Sequence, residues 1–147
     1  MMYTNTDKDY NYRSGMGKWM KDYSLKEKGK DWDFCVGLSY RSNINQTLTA
    51  KKYWMKLYKE IYKVDNSVYG FVVDELDKFG KNIHHHLIVG SELDIVSFSK
   101  IVSNNWDKRG VNWVDRYLRS SKWDMIDYMC KHINKTDRNV MDVFNSL

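Results

Sequence analysis

The residues best suited to chemistry lie in one short apolar stretch, Ile83 to Val89, which reads IHHHLIV. Three of the four histidines of the chain stand there side by side. In a β-strand successive side chains point to opposite faces, so His84, His86 and Ile88 share one face, while His85, Leu87 and Val89 share the other. Two imidazoles two residues apart on one face can grip a single cation, and neutral imidazole suits zinc, manganese and other transition metals. A hard oxygen ligand would complete a site that acts on phosphates. The preceding run VYGFVVDEL offers Asp74 and Glu75, with Asp77 just beyond. Parity groups Glu75 with Phe71 and Val73, and a turn over residues 78–82 brings it near the start of the histidine strand. A lone carboxylate on such a face must be paired, exposed or metal-bound. Asp74 takes its place if the register slips by one.

A second set lies near the C-terminus. Taking about 100° per residue, Trp123, Ile126, Cys130 and Ile133 form an apolar stripe, with Tyr128 on the opposite side among Asp124, Lys131, His132 and Lys135. Lys131 falls at i+3 from Tyr128. Its ammonium could favour the phenolate or neutralise charge on a bound phosphate.

The elements that must position these residues follow from periodicity. Residues 1–30 show no sustained period and contain Gly15, Gly17 and Gly29 among mixed charges, which predicts a loosely ordered basic and aromatic arm with at most one short helical piece. Asp33 to Tyr40 reads as a buried strand. Asn43, Asn45 and Thr47 mark a turn and cap before an amphipathic helix from Leu48 to Val64, whose stripe is Trp54, Leu57, Tyr58 and Ile61. Its outer face carries five lysines, Lys52 and Lys56 among them, which could meet phosphates or simply face solvent. The histidine strand and its predecessor form a hairpin around Gly80. Ser91 with Asp94 resembles a capping box opening a helix that ends near Trp106. Val111 to Leu118 reads as a strand, and Ser121 with Asp124 caps a last helix from Lys122 to about residue 134. Residues 136–147 are left as a tail. A direct central hairpin rules out a doubly wound parallel sheet, so the predicted fold class is α+β, a central antiparallel sheet flanked by helices.

Composition narrows the function classes. The chain has 147 residues, 42% hydrophobic, with 24 basic against 19 acidic side chains and a net charge of +5, enough apolar mass for one core and a charge suited to an anionic partner. No apolar run approaches the about 18 residues of a membrane span, and the polar start lacks the apolar segment of a secretion signal. Cys35 and Cys130 show no C-x-x-C spacing and read as small core residues.

Glu75 with glycine five residues on, His84-His85-His86-Leu-Ile-Val, and Tyr128-Met-Cys-Lys131 resemble, over residues 32–135, the HUH endonucleases, in particular the single-tyrosine rolling-circle replication initiators. In order these look like the family's third metal ligand, its histidine-hydrophobic-histidine motif and its Tyr-x-x-Lys motif, and Phe34 to Tyr40 is similar to its first strand motif. The combination is far more specific than any one part. Two residues depart from the pattern: His85 stands where an apolar residue is usual, and Asp124 stands where a second tyrosine would be.

The resemblance implies a sheet-and-helix fold related to the ferredoxin-like and RRM arrangements. It implies Mg2+ or Mn2+ held by Glu75, His84 and His86, and Tyr128 as the nucleophile toward single-stranded origin DNA, beside a hairpin. The products would be a 5′-phosphotyrosine and a free 3′-hydroxyl, in a step that can reverse into joining. Lys131 would stabilise developing charge. Trp32, Tyr40, Trp113 and Tyr117 are candidates for base stacking. A helicase would act in trans, or the chain is an excised nuclease domain. The expected setting is intracellular, in a bacterial host of a plasmid or phage or in a virus-infected cell. A related transposase or plasmid relaxase would share the chemistry, whereas a DNA-binding module without catalysis would need neither the histidines nor Tyr128. A zinc-stabilised structural domain is disfavoured, because nitrogen and oxygen ligands without thiolates leave an open position typical of catalysis.

Overall fold

The computed structural model describes residues 5–76, 82–120, 124–130 and 141–144. Their elements are α1 (Asn5–Lys28), β1 (Phe34–Leu38), α2 (Thr47–Val64), β2 (Tyr69–Leu76), β3 (Ile83–Gly90), α3 (Ile95–Trp106), β4 (Asn112–Arg116), α4 (Met125–Cys130) and β5 (Met141–Phe144). The strands form one sheet in the order β4-β1-β3-β2-β5, and every neighbouring pair is antiparallel. The chain is therefore α+β, with a five-stranded antiparallel sheet flanked by helices. Among the described residues no helix is long and apolar enough to cross a membrane.

Strand parity sorts the core into two layers. Phe34, Val36, Leu38, Val72, Leu87 and Val89 point to the face packed by Trp54, Leu57 and Ile61 of α2 and by Phe98, Val102 and Trp106 of α3. Cys35, Tyr69, Phe71, Val73 and Ile88 point to the other face, under Met20 of α1 and Ile126, Met129 and Cys130 of α4. Because both faces are covered, β1 is buried at all five positions, which is why its sequence, FCVGL, shows no polar alternation.

The described part of residues 1–30 is not the loose arm that the sequence suggests. Asn5 to Lys28 is a 24-residue helix, and Met16, Met20 and Tyr23 pack it onto the sheet. Gly17, which lowers helix propensity, faces α4, where a Cβ would lie 2.9 Å from the Asp127 carboxylate. Nor is 136–147 simply a tail: Met141 to Phe144 pairs with β2, and the Phe144 ring is buried against Trp54 and Tyr58. Capping also differs in detail. Gln46, not a side-chain cap, precedes α2, and Asp94 caps α3 by accepting from the Ser97 amide at 2.8 Å. The strand expected over Val111–Leu118 is shorter at both ends.

Ser91 serves a different purpose. Its hydroxyl donates to the Asp65 carboxylate at 2.6 Å, and the same carboxylate accepts from the Glu92 amide and from the amide and hydroxyl of Ser67. Asp65 thus ties the end of α2 to the loop after β3. Burial pushes its carboxyl up, but the donors from Ser67, Ser91 and Glu92 outweigh burial and hold it below the usual carboxylate range. A folded-state value below the unfolded one adds stability above about pH 4 that is lost as the pH falls further. Asp65→Asn is expected to cost about 2 kcal/mol at pH 7 and to flatten the acid limb of a plot of Tm against pH. An unchanged acid limb would contradict this role.

Candidate active site

The β2–β3 register places Glu75 opposite His84 and Val73 opposite His86. Glu75, His84 and His86 therefore share the face covered by α1 and α4. The His86 Nε2–H donates to the Glu75 carboxylate at 2.7 Å, a diagonal contact along the hairpin. Tyr128 of α4 meets this pair edge to face, its ring 5.3 Å from the His86 imidazole at 83°. Burial raises the Tyr128 phenol above its ordinary value, and the negative charge of Glu75 raises it further. The hydroxyl is thus a neutral phenol at physiological pH, and positive charge placed nearby would lower its proton affinity.

Asp124 sets the position of Tyr128. The helix expected over Lys122–134 is described from Met125 to Cys130, and Asp124 pins its start; Ser121, expected to cap it with Asp124, lies outside the described residues. The Asp124 carboxylate accepts from the Tyr117 hydroxyl at 2.6 Å, the Ile126 amide at 2.9 Å and the Ser120 amide at 3.1 Å. So Asp124 is buried, not displayed beside Tyr128 among charges as the helical wheel suggests. The Tyr128 amide closes the first turn on the Asp124 carbonyl at 3.1 Å. On its inner side α4 seats Ile126, Met129 and Cys130 against α1, and Lys21 of α1 pairs with Asp127 at 2.6 Å.

His85 belongs to the opposite face and is fully buried. Its Nδ1–H donates to Asp74 at 2.5 Å, and its Nε2 faces the Tyr40 hydroxyl at 2.6 Å. Burial drives the Tyr40 phenol well above its ordinary value, and Asp74 adds to the shift. The two adjacent carboxylates are thereby divided: Asp74 supports the core histidine, and Glu75 meets His86. Tyr40 was expected among the stacking residues, and no local pattern signals this buried chain, whose members lie on β2, β3 and the loop after β1.

Other sequence candidates are distributed unevenly. Tyr117 is buried and bound to Asp124, and Trp32 is buried with its indole N–H donating to the Met20 carbonyl at 2.8 Å, so neither ring is open to a base. Lys52 and Lys56 are exposed on α2, on the far side of the sheet from Tyr128, and do not join the site. Trp113 does lie on the site's face, because β4 pairs it with Gly37, which β1 in turn pairs with His86. Lys131 lies outside the described residues.

Among the described residues no three His, Cys, Asp or Glu side chains are gathered closely enough to hold a metal ion. The expected trio is partly assembled: Glu75 and His86 touch, and His84 stands opposite Glu75 in register. In donor type, two imidazoles and a carboxylate on one face suit a divalent cation with open positions. No family model matches the sequence, and no curated protein or solved structure matches it.

Proposed function

We propose that the chain is a metal-dependent endonuclease of the HUH type that nicks and rejoins single-stranded DNA, with Tyr128 as nucleophile, and that it initiates rolling-circle replication. The observation that carries this reading is the contact of the Tyr128 ring with the His86–Glu75 pair, which joins on one face three residues of the motifs quoted from the sequence. The Tyr128 phenol oxygen attacks the scissile phosphorus, the bond from phosphorus to the 3′-oxygen breaks, and a 5′-phosphotyrosine forms. The phenol gives its proton to solvent and the departing 3′-oxygen gains one, leaving a 3′-hydroxyl that primes synthesis. Because one phosphoester replaces another, the same residues serve the reverse, joining reaction. His84, His86 and Glu75 would hold magnesium or manganese, which would supply Lewis-acid polarisation of the phosphate. Lys131, three residues beyond Tyr128, is assigned to the charge that develops on the phosphate oxygens. The substrate is the unpaired strand of an origin, beside a hairpin, with a helicase acting in trans.

The test is to incubate the protein with an end-labelled, randomised pool of single-stranded oligonucleotides, with manganese or with EDTA. A protein–DNA adduct that survives denaturing electrophoresis is expected with manganese only. DNA binding with no adduct under either condition would leave a binding module and remove the enzyme.

A further inference from the structure

Beyond the site itself, the edge of the same sheet face presents an open aromatic surface. Trp113, Gly37 and His86 stand in one row across β4, β1 and β3. At about 4.8 Å per strand, the Trp113 backbone lies about 10 Å from that of His86. Gly37 is what seats the indole: a Cβ at that position would lie 2.2 Å from its Cε2 and Nε1 atoms, so the ring covers the bare backbone of β1. Trp113 nevertheless remains 37% exposed.

Two residues along β4, Asp115 points to the same face. It is exposed, and its charge reaches the Cys35 thiol below it, adding to the burial that pushes that thiol up to about 12. No hydrogen bond or ion pair among the described residues engages the Asp115 carboxylate. Trp113 and Asp115 line a cleft of about 700 Å³ with Cys35, Tyr117, Ser120 and Met125. Met125 opens α4, and Tyr128 follows it by three residues, so the cleft runs up to the helix that carries the phenol.

We propose that Trp113 and Asp115 form a base-reading subsite beside the scissile phosphate, and that it takes a base bearing an exocyclic amine. The indole offers a face for stacking, which any base can use. Asp115 supplies the selection. A carboxylate only accepts, so it pairs with the amino group of cytosine, adenine or guanine and opposes the two carbonyl oxygens that flank the single N–H of thymine. It also repels phosphate, whereas Arg116, which lines the same cleft, attracts it, so the strand can set its phosphate toward Arg116 and its base toward Asp115. The proposal rests on Tyr128 as nucleophile only for where the scissile bond lies.

The experiment measures binding by fluorescence anisotropy of labelled oligo(dC), oligo(dA) and oligo(dT), each about 12 nucleotides long, to the 147-residue chain carrying Tyr128→Phe, in EDTA. Oligo(dC) and oligo(dA) are expected to bind about tenfold more tightly than oligo(dT). In the Asp115→Asn background that preference should collapse toward unity. Trp113→Ala should weaken all three oligonucleotides by about tenfold, with Trp113→Phe restoring most of the loss. Gly37→Ala, which must displace the indole, should behave like Trp113→Ala. A base preference that Asp115→Asn leaves unchanged would overturn the proposal, as would binding indifferent to Trp113→Ala and Gly37→Ala alike. The two readings fail separately: a preference that moves with Asp115 in a protein that never forms an adduct removes the nuclease and keeps the subsite, and an adduct without such a preference does the reverse.

Discussion

Tyr128→Phe should reduce manganese-dependent nicking by about 10⁴-fold or more, while single-stranded DNA binding stays within about threefold of the parent protein. The substitution removes one oxygen from a half-buried ring and keeps the edge-to-face packing against His86, so the helix that carries it has no reason to move. Loss of a nucleophile is an all-or-none effect on covalent chemistry. The Tyr117 and Tyr40 hydroxyls are already engaged with Asp124 and His85 in the core. Assays of nicking and of equilibrium binding on one preparation separate the two effects. Nicking that survives in Tyr128→Phe would assign the nucleophile elsewhere.

The second large effect divides the three adjacent histidines. His86→Ala is expected to lower nicking by about 10³-fold and to leave Tm within a few degrees, since His86 sits on the site's face against Glu75 and Tyr128. His84→Ala should behave similarly. His85→Ala acts on the fold: it empties a fully buried position and leaves Asp74 and Tyr40 without their shared partner. The cost should be about 3 kcal/mol, or a Tm lower by roughly 6–12 °C in a chain of this size. At a temperature where His85→Ala remains folded, its nicking should stay near that of the parent. Equal loss of nicking at all three positions, with stability unchanged, would contradict the division by strand face.

Strand period explains why this division was legible in the sequence. With side chains alternating strictly, three consecutive histidines must split two to one, and the apolar residues on either side fix which face is which. The same parity put Glu75, not Asp74, on the face of His86. Helical parity was less informative. It set Tyr128 away from the core stripe but grouped it with Asp124, because a wheel assigns a carboxylate to solvent and knows nothing of the Tyr117 hydroxyl and the two amides that bury it. The helix α1 was hidden for a related reason. Met16, Trp19, Met20 and Tyr23 span only two turns of a long, largely polar segment, and Gly15 and Gly17 within it argue against a helix. A four-residue strand such as β5 leaves too short a pattern to separate from a tail. Trp113 carried no local signal of its place in line with His86, since that depends on which strands pair.

Peptide mapping of the covalent product tests the central claim most directly. After reaction with manganese and single-stranded DNA, nuclease trimming and proteolysis, tandem mass spectrometry should find a nucleotide linked through its 5′-phosphate to the Tyr128 side chain. A nucleotide found on any other residue, or linked through its 3′-phosphate, would contradict the account.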